Sequence, residues 1–183
     1  MLTNEQLKEI YNEHHKLVYN LALNYLQSTE DAEEITQEVF LTVYQSYGKF
    51  YQRSSLKTWI YRITINKSID FLKAKKRQKR FAKLRSIFNT DGKLSYEPVD
   101  FTHPGAILEN KENTQSLFKA IEQLPETQKT VFLLSQTEDL GNKEIAELIG
   151  KNVGAVESLL QRAKENLKKI LTHYYEDYRR NQK

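Results

Sequence analysis

Residues 142–171 read NKEIAELIGKNVGAVESLLQRAKENLKKIL, and the fold follows from how this stretch turns. Ile145, Leu148 and Ile149 form the inner face of a short helix, and Ala146 is small where two helices must cross closely. Gly150 can take the left-handed conformation that ends such a helix at little steric cost. Asn152 is a good N-cap for the next helix, whose Val153, Val156, Leu160, Ala163, Leu167 and Ile170 follow alternating three- and four-residue steps toward a core. The opposite face carries Ala155, Ser158, Gln161, Arg162 and Lys164–Glu165. Small and amide side chains near the helix start, with basic ones farther along, suit a helix laid in a DNA major groove. A plain helical hairpin shares the apolar spacing. The turn glycine, the cap and the basic outer face favour a DNA-reading helix-turn-helix.

Outward from this motif, helical periodicity runs through most of the chain. Leu7, Ile10, His14, Leu17, Val18, Leu21 and Tyr25 recur at helical spacing, as do Ile35, Val39, Val43 and Tyr47, which predicts a helix over about 31–47. A third helix is expected from Leu56–Thr58 into a basic run, with Thr58 as its N-cap. Helices are also expected over 114–123, 126–137, 142–149 and from Asn152 to about Tyr174, with a break at Leu124-Pro125. Residues 86–113 hold turn formers and no sustained period. They read as a flexible, acidic interdomain linker with a short helix near Gly105. The expected fold is all-α: two small helical domains, residues 1–85 and 114–183, joined by that linker. Six Gly and three Pro in 183 residues are too few for the many tight turns of an all-β protein.

Charge is concentrated. The net charge is +4, yet residues 73–85 (KAKKRQKRFAKLR) carry eight Lys/Arg and no Asp/Glu, so the remainder sums to 4 − 8 = −4. A concentrated patch is what phosphate binding requires. Upstream, DAEEITQEVF (31–40) offers an acidic face, and LKTWIYRITINKSIDFL (56–72) places the single tryptophan between the two charged regions. That layout fits a protein partner on one side and nucleic acid on the other.

Several function classes fall away. His14, His15, His103 and His173 have no metal-ligand spacing, no glycine loop cradles phosphate, and acidic spacing suggests no metal site, so neither an enzyme nor a cofactor or metal is expected. The lack of cysteine excludes disulfides and is compatible with a reducing cytosol. The N-terminus is not a signal peptide and no run approaches the ~18 apolar residues of a membrane span, so a cytoplasmic protein without membrane insertion is expected.

These motifs resemble, over nearly the whole chain, bacterial sigma-70-family initiation factors of the extracytoplasmic-function group. DAEEITQEVF is similar to the polymerase-binding helix of region 2, LKTWIYRITINKSIDFLKAKKR to its promoter-melting, −10-reading helix, and LPETQKTVFLL…EIAELIG…VESLLQRAKENL to region 4, the −35 reader. The resemblance implies a factor that binds core RNA polymerase, through its clamp helices and flap, and directs it to promoters. It implies that Glu34, Gln37 and Glu38 face the clamp helices. Tyr51, Ser54, Ser55, Trp59, Arg62, Asn66 and Lys67 would lie at the −10 element, with the loop before Trp59 capturing a base and Trp59 serving mainly as core support. Lys73, Lys76, Arg77 and Arg80 share a helix side and would hold phosphates without reading sequence. Asn152, Ala155, Ser158, Gln161, Arg162 and Lys164 would face the −35 groove. An anti-sigma partner is common in the family. The chain departs from the family at Gly141, where a capping Ser is usual, and at Glu157 and Leu159, where Lys and Arg are usual. The rival expectation is an autonomous helix-turn-helix regulator that binds duplex DNA without polymerase.

Overall fold

A computed structural model describes residues 2–50, 54–88, 111–136 and 140–181. Every element among them is helical: α1 (Asn4–Leu26), α2 (Thr29–Ser46), a single 3-10 turn at Tyr47–Lys49, α3 (Leu56–Phe88), α4 (Lys111–Glu122), α5 (Glu126–Ser135), α6 (Asn142–Ile149) and α7 (Val153–Asn181). The all-α expectation holds. Two compact units divide the chain, and the division falls inside α3. Of α3, residues 63–88 group with residues 2–50, whereas residues 54–62 group with the C-terminal helices.

In the first unit α1 and α2 form an antiparallel hairpin. Thr3 opens α1 with a reciprocal box: its hydroxyl accepts from the Gln6 N–H at 3.2 Å, and the Gln6 side chain accepts from the Thr3 N–H at 3.0 Å. Ile10, His14, Val18, Leu21, Ala22 and Tyr25 are buried along one face, whereas Leu7 and Leu17 are half-buried. Gln27 ends α1 at φ 59°, a conformation usually left to glycine, and its side-chain amide donates to the carbonyls of Asn24 (2.6 Å) and Leu23 (3.3 Å). Ser28 then caps α2, its hydroxyl accepting from the Asp31 N–H at 3.2 Å. Two caps on adjacent residues make the turn between the helices sharp. Ala32, Ile35, Val39, Phe40 and Val43 complete the buried surface.

α3 starts one cap earlier than expected. The Ser55 hydroxyl accepts from the Thr58 N–H at 3.1 Å, so Ser55 and not Thr58 is the N-cap. Ile60, Tyr61, Thr64, Ile65 and Ser68 lie on its buried side. The helix outlasts residue 85, ending at Phe88, and α4 opens at Lys111. The rest of the expected linker, including the turn of helix near Gly105, lies outside the described residues, as does Tyr51.

In the second unit α7 packs against α4, α5 and α6. Val131, Leu134, Ile145, Val156 and Ala163 are fully buried there, and Asn166 donates to the Gln128 side chain at 2.9 Å, tying α7 to α5. The expected inner face needs one correction. Val153 is 39% exposed, because it occupies the first turn of α7, before the helix reaches the others. Leu160 and Ile170 are half-buried. α7 continues to Asn181, past the expected end near Tyr174; no Gly or Pro follows Gly154 to stop it.

Candidate polymerase and nucleic-acid interfaces

Glu34, Gln37 and Glu38 are all exposed on the outer face of α2. The sequence also hid two neighbours there. Leu41 is 56% exposed and Tyr44 43%, one turn farther along the same side. The clue in the sequence is that VFLTVY carries more apolar residues than one helix face can bury.

The acidic and basic regions are not separate surfaces. Lys67 Nζ lies 2.8 Å from Glu38 Oε2, and Lys75 Nζ lies 2.5 Å from Asp31 Oδ2. Two ion pairs thus clasp α2 to α3, and Lys75 also sits 5.5 Å from the centroid of the Phe71 ring. Glu38 and Lys67, which the family resemblance gives to different partners, are each other's partner here. They stand 29 residues apart, beyond any local spacing signal.

Along α3 the other expected −10 residues have varied surroundings. Asn66 is exposed, and Ser54 and Trp59 are half-buried. The Ser55 hydroxyl is engaged by Thr58 through both its N–H and its hydroxyl, the latter at 2.8 Å. Arg62 does not project freely. Its guanidinium donates to the Glu147 carbonyl at 2.7 Å and the Leu148 carbonyl at 3.2 Å, within the second unit. These are terminal carbonyls of α6, where a cation complements the negative end of the helix. Lys73, Lys76, Arg77 and Arg80 are exposed and recur at three- and four-residue steps, so one side of α3 presents a row of cations.

The helix-turn-helix is set by its caps. Gly150 sits at φ 66° and ψ 38°, and the Lys151 N–H donates back to the Ala146 carbonyl at 2.9 Å, which closes α6. Asn152 Oδ1 accepts from the Ala155 N–H at 2.8 Å and so starts α7 at the next residue, Val153. At the front of α6 the Glu144 carboxylate accepts from the Gly141 N–H at 2.8 Å. A glycine has no hydroxyl to return that bond, so the box is half made. Ser158, Gln161, Arg162 and Lys164 are exposed on one flank of α7, Ala155 is half-buried beside them, and Gln161 donates to Glu165 at 2.9 Å. Among the described residues, no group of acidic or histidine side chains is arranged to hold a metal, and no helix is long and apolar enough to cross a membrane.

Comparison with known proteins agrees with this anatomy. Residues 10–78 match the Sigma-70 region 2 family model and residues 114–167 the Sigma-70 region 4 model. The RNA polymerase sigma factor SigV of Bacillus subtilis is 30% identical over 160 residues, covering 87% of each chain. The ECF RNA polymerase sigma-E factor of Escherichia coli is 30% identical over 152 residues, covering 81% of this chain and 77% of that one. Among solved structures, the sigma factor RpoE of Bartonella quintana, in complex with the anti-sigma factor NepR, shares the fold at TM-score 0.60 and 19% identity, covering 90% of this chain and 96% of that one. CnrH, in complex with the cytosolic domain of CnrY, does so at TM-score 0.64 and 15% identity, covering 93% and 90%.

Proposed function

The chain belongs to the extracytoplasmic-function group of the sigma-70 family, and from that premise we propose how its residues share the work of initiation. The protein is a promoter-specificity factor that binds core RNA polymerase, and an autonomous regulator is not favoured. It acts in the cytoplasm and without catalysis of its own. Residues 1–85 serve as region 2 and residues 114–183 as region 4, with the intervening segment as tether.

On this reading the α2 face of Glu34, Gln37 and Glu38 docks on basic clamp helices. The exposed row Lys73, Lys76, Arg77 and Arg80 holds promoter phosphates near the −10 element, while Tyr51, Ser54, Ser55, Trp59, Arg62, Asn66 and Lys67 flank the melted strand. Ser158, Gln161, Arg162 and Lys164, with Asn152 and Ala155 at the front of α7, meet the −35 groove. The observation that carries the reading is the row of cations on α3 in a chain whose other residues sum to negative charge. An electrostatic clamp on phosphates is sequence-independent and salt-sensitive.

The test separates the two surfaces. Replacing Lys73, Lys76 and Arg77 with Gln should weaken promoter binding by the holoenzyme and lower the slope of log affinity against log salt by about one unit per lost contact. Affinity for core polymerase should stay unchanged. A salt slope equal to that of the parent would refute the assignment.

A further inference from the structure

A groove of about 400 Å³ runs between α1 and α2, and its chemistry is distinct from that of the neighbouring acidic face. Tyr11, His15 and Tyr19 line one wall and Glu33, Thr36 and Gln37 the other. The three rings stand at successive four-residue steps, so they form a stripe along α1. Tyr11 stacks on His15 with ring centroids 5.2 Å apart and planes at 25°. Its other side is braced by Phe40, 4.8 Å away and itself only 6% exposed. The ring is held in place, yet Tyr11 remains 43% exposed.

Glu33 is the one carboxylate lining the groove, and no Lys or Arg lines it. Among the described residues no ion pair engages Glu33, unlike Asp31 and Glu38, which Lys75 and Lys67 neutralise. Flat aromatic faces beside an uncompensated carboxylate are the surroundings a guanidinium selects. It stacks on the rings and donates two parallel hydrogen bonds to the acid. An ammonium gains less, because it lacks the planar fork. A purely apolar ligand would leave Glu33 desolvated without a partner.

We infer that this groove receives an arginine side chain presented by the core polymerase surface. Gln37 belongs both to the groove and to the proposed polymerase face, so a partner seated on Glu34, Gln37 and Glu38 reaches the groove without a second docking event. The inference rests on the polymerase-binding reading and extends that interface from α2 onto α1. Tyr11 then becomes a binding residue that neither the acidic motif nor the helix periodicity marks, and Glu33 a member of the acidic motif with a role apart from Glu34 and Glu38.

The experiment measures the affinity of purified core polymerase for the full-length protein and its variants, as a function of salt. Tyr11→Ala should weaken binding by about three- to tenfold, and Tyr11→Phe, which keeps the ring, should stay within about twofold of the parent. Glu33→Gln should weaken binding and flatten its salt dependence. Glu33 is exposed, so this variant decides the matter if Tyr11→Ala disturbs the α1–α2 hairpin. Parental affinity for both Tyr11→Ala and Glu33→Gln, with Glu34→Gln and Glu38→Gln still weakened, would overturn the groove while leaving the polymerase face intact. Parental affinity for all four would overturn both.

Discussion

The α2–α3 contact of the first unit and the α6–α7 turn of the second are organised by different physics. In the first, charged side chains far apart in sequence meet across helices: Glu38 with Lys67 and Asp31 with Lys75. In the second, the geometry of α6 and α7 is fixed by backbone caps within a few residues of one another: Gly150, Lys151 with Ala146, and Asn152 with Ala155. The first arrangement is adjustable, because partly exposed ion pairs are weak and exchange partners readily. The second is rigid, because a left-handed residue and a cap leave the chain one path. On the proposed division of roles, a unit that must accept both polymerase and a melting strand benefits from the former. A unit that presents one helix to a groove benefits from the latter.

Gly150→Ala attacks the rigid side of this contrast. Space is not the obstacle, since an added Cβ meets nothing within 4 Å, but the φ of +66° remains strained for any L side chain. A loss of about 1 kcal/mol is expected, measured by urea unfolding, with hydrogen-exchange protection falling in α6 and α7 and unchanged in α1 and α2. Loss of protection in both units alike would erase the distinction.

The adjustable side is probed by a double-mutant cycle on Glu38→Gln and Lys67→Met. The side chains are 47% and 32% exposed, so solvent screens the pair and each single variant should cost under about 1 kcal/mol. The double variant should cost less than the sum of the singles. Strict additivity would show that the clasp does not contribute in solution.

The smallest effect is expected at Gly141→Ser. The new Cβ would lie 3.6 Å from Glu144 Oε2, an ordinary contact, and the backbone at φ −79°, ψ 162° already suits a cap. Completing the half-made box should raise stability by a few tenths of a kcal/mol at most. An unchanged or lower melting midpoint would contradict this account of the cap.

What could be read from the sequence tracks this same contrast. The ends of α6, the start of α7 and the identity of Asn152 as a cap were legible, because each depends on residues within one turn. Apolar spacing likewise located the buried stripes of α1 and α2. The cap of α3 was misplaced by three residues, since Ser55 and Thr58 are both competent and only the backbone path decides between them. Spacing alone places Val153 in the core, because it ignores where a helix first meets its neighbours. Long-range pairings left no local trace. Neither the union of Glu38 with Lys67 nor the capture of Arg62 by the end of α6 is written in any short motif. The groove beside Tyr11 was equally hidden, because two helices must be brought together before its walls exist.

The central claim is that this chain directs core polymerase to promoters by means of these surfaces. The most direct measurement is transcription by purified core polymerase from a cognate promoter, with and without the protein. Discrete, promoter-dependent transcripts are expected only when it is present, and they should fade when Lys73, Lys76 and Arg77 are neutralised. Tight duplex binding by the protein alone, with no effect on core polymerase, would contradict the account.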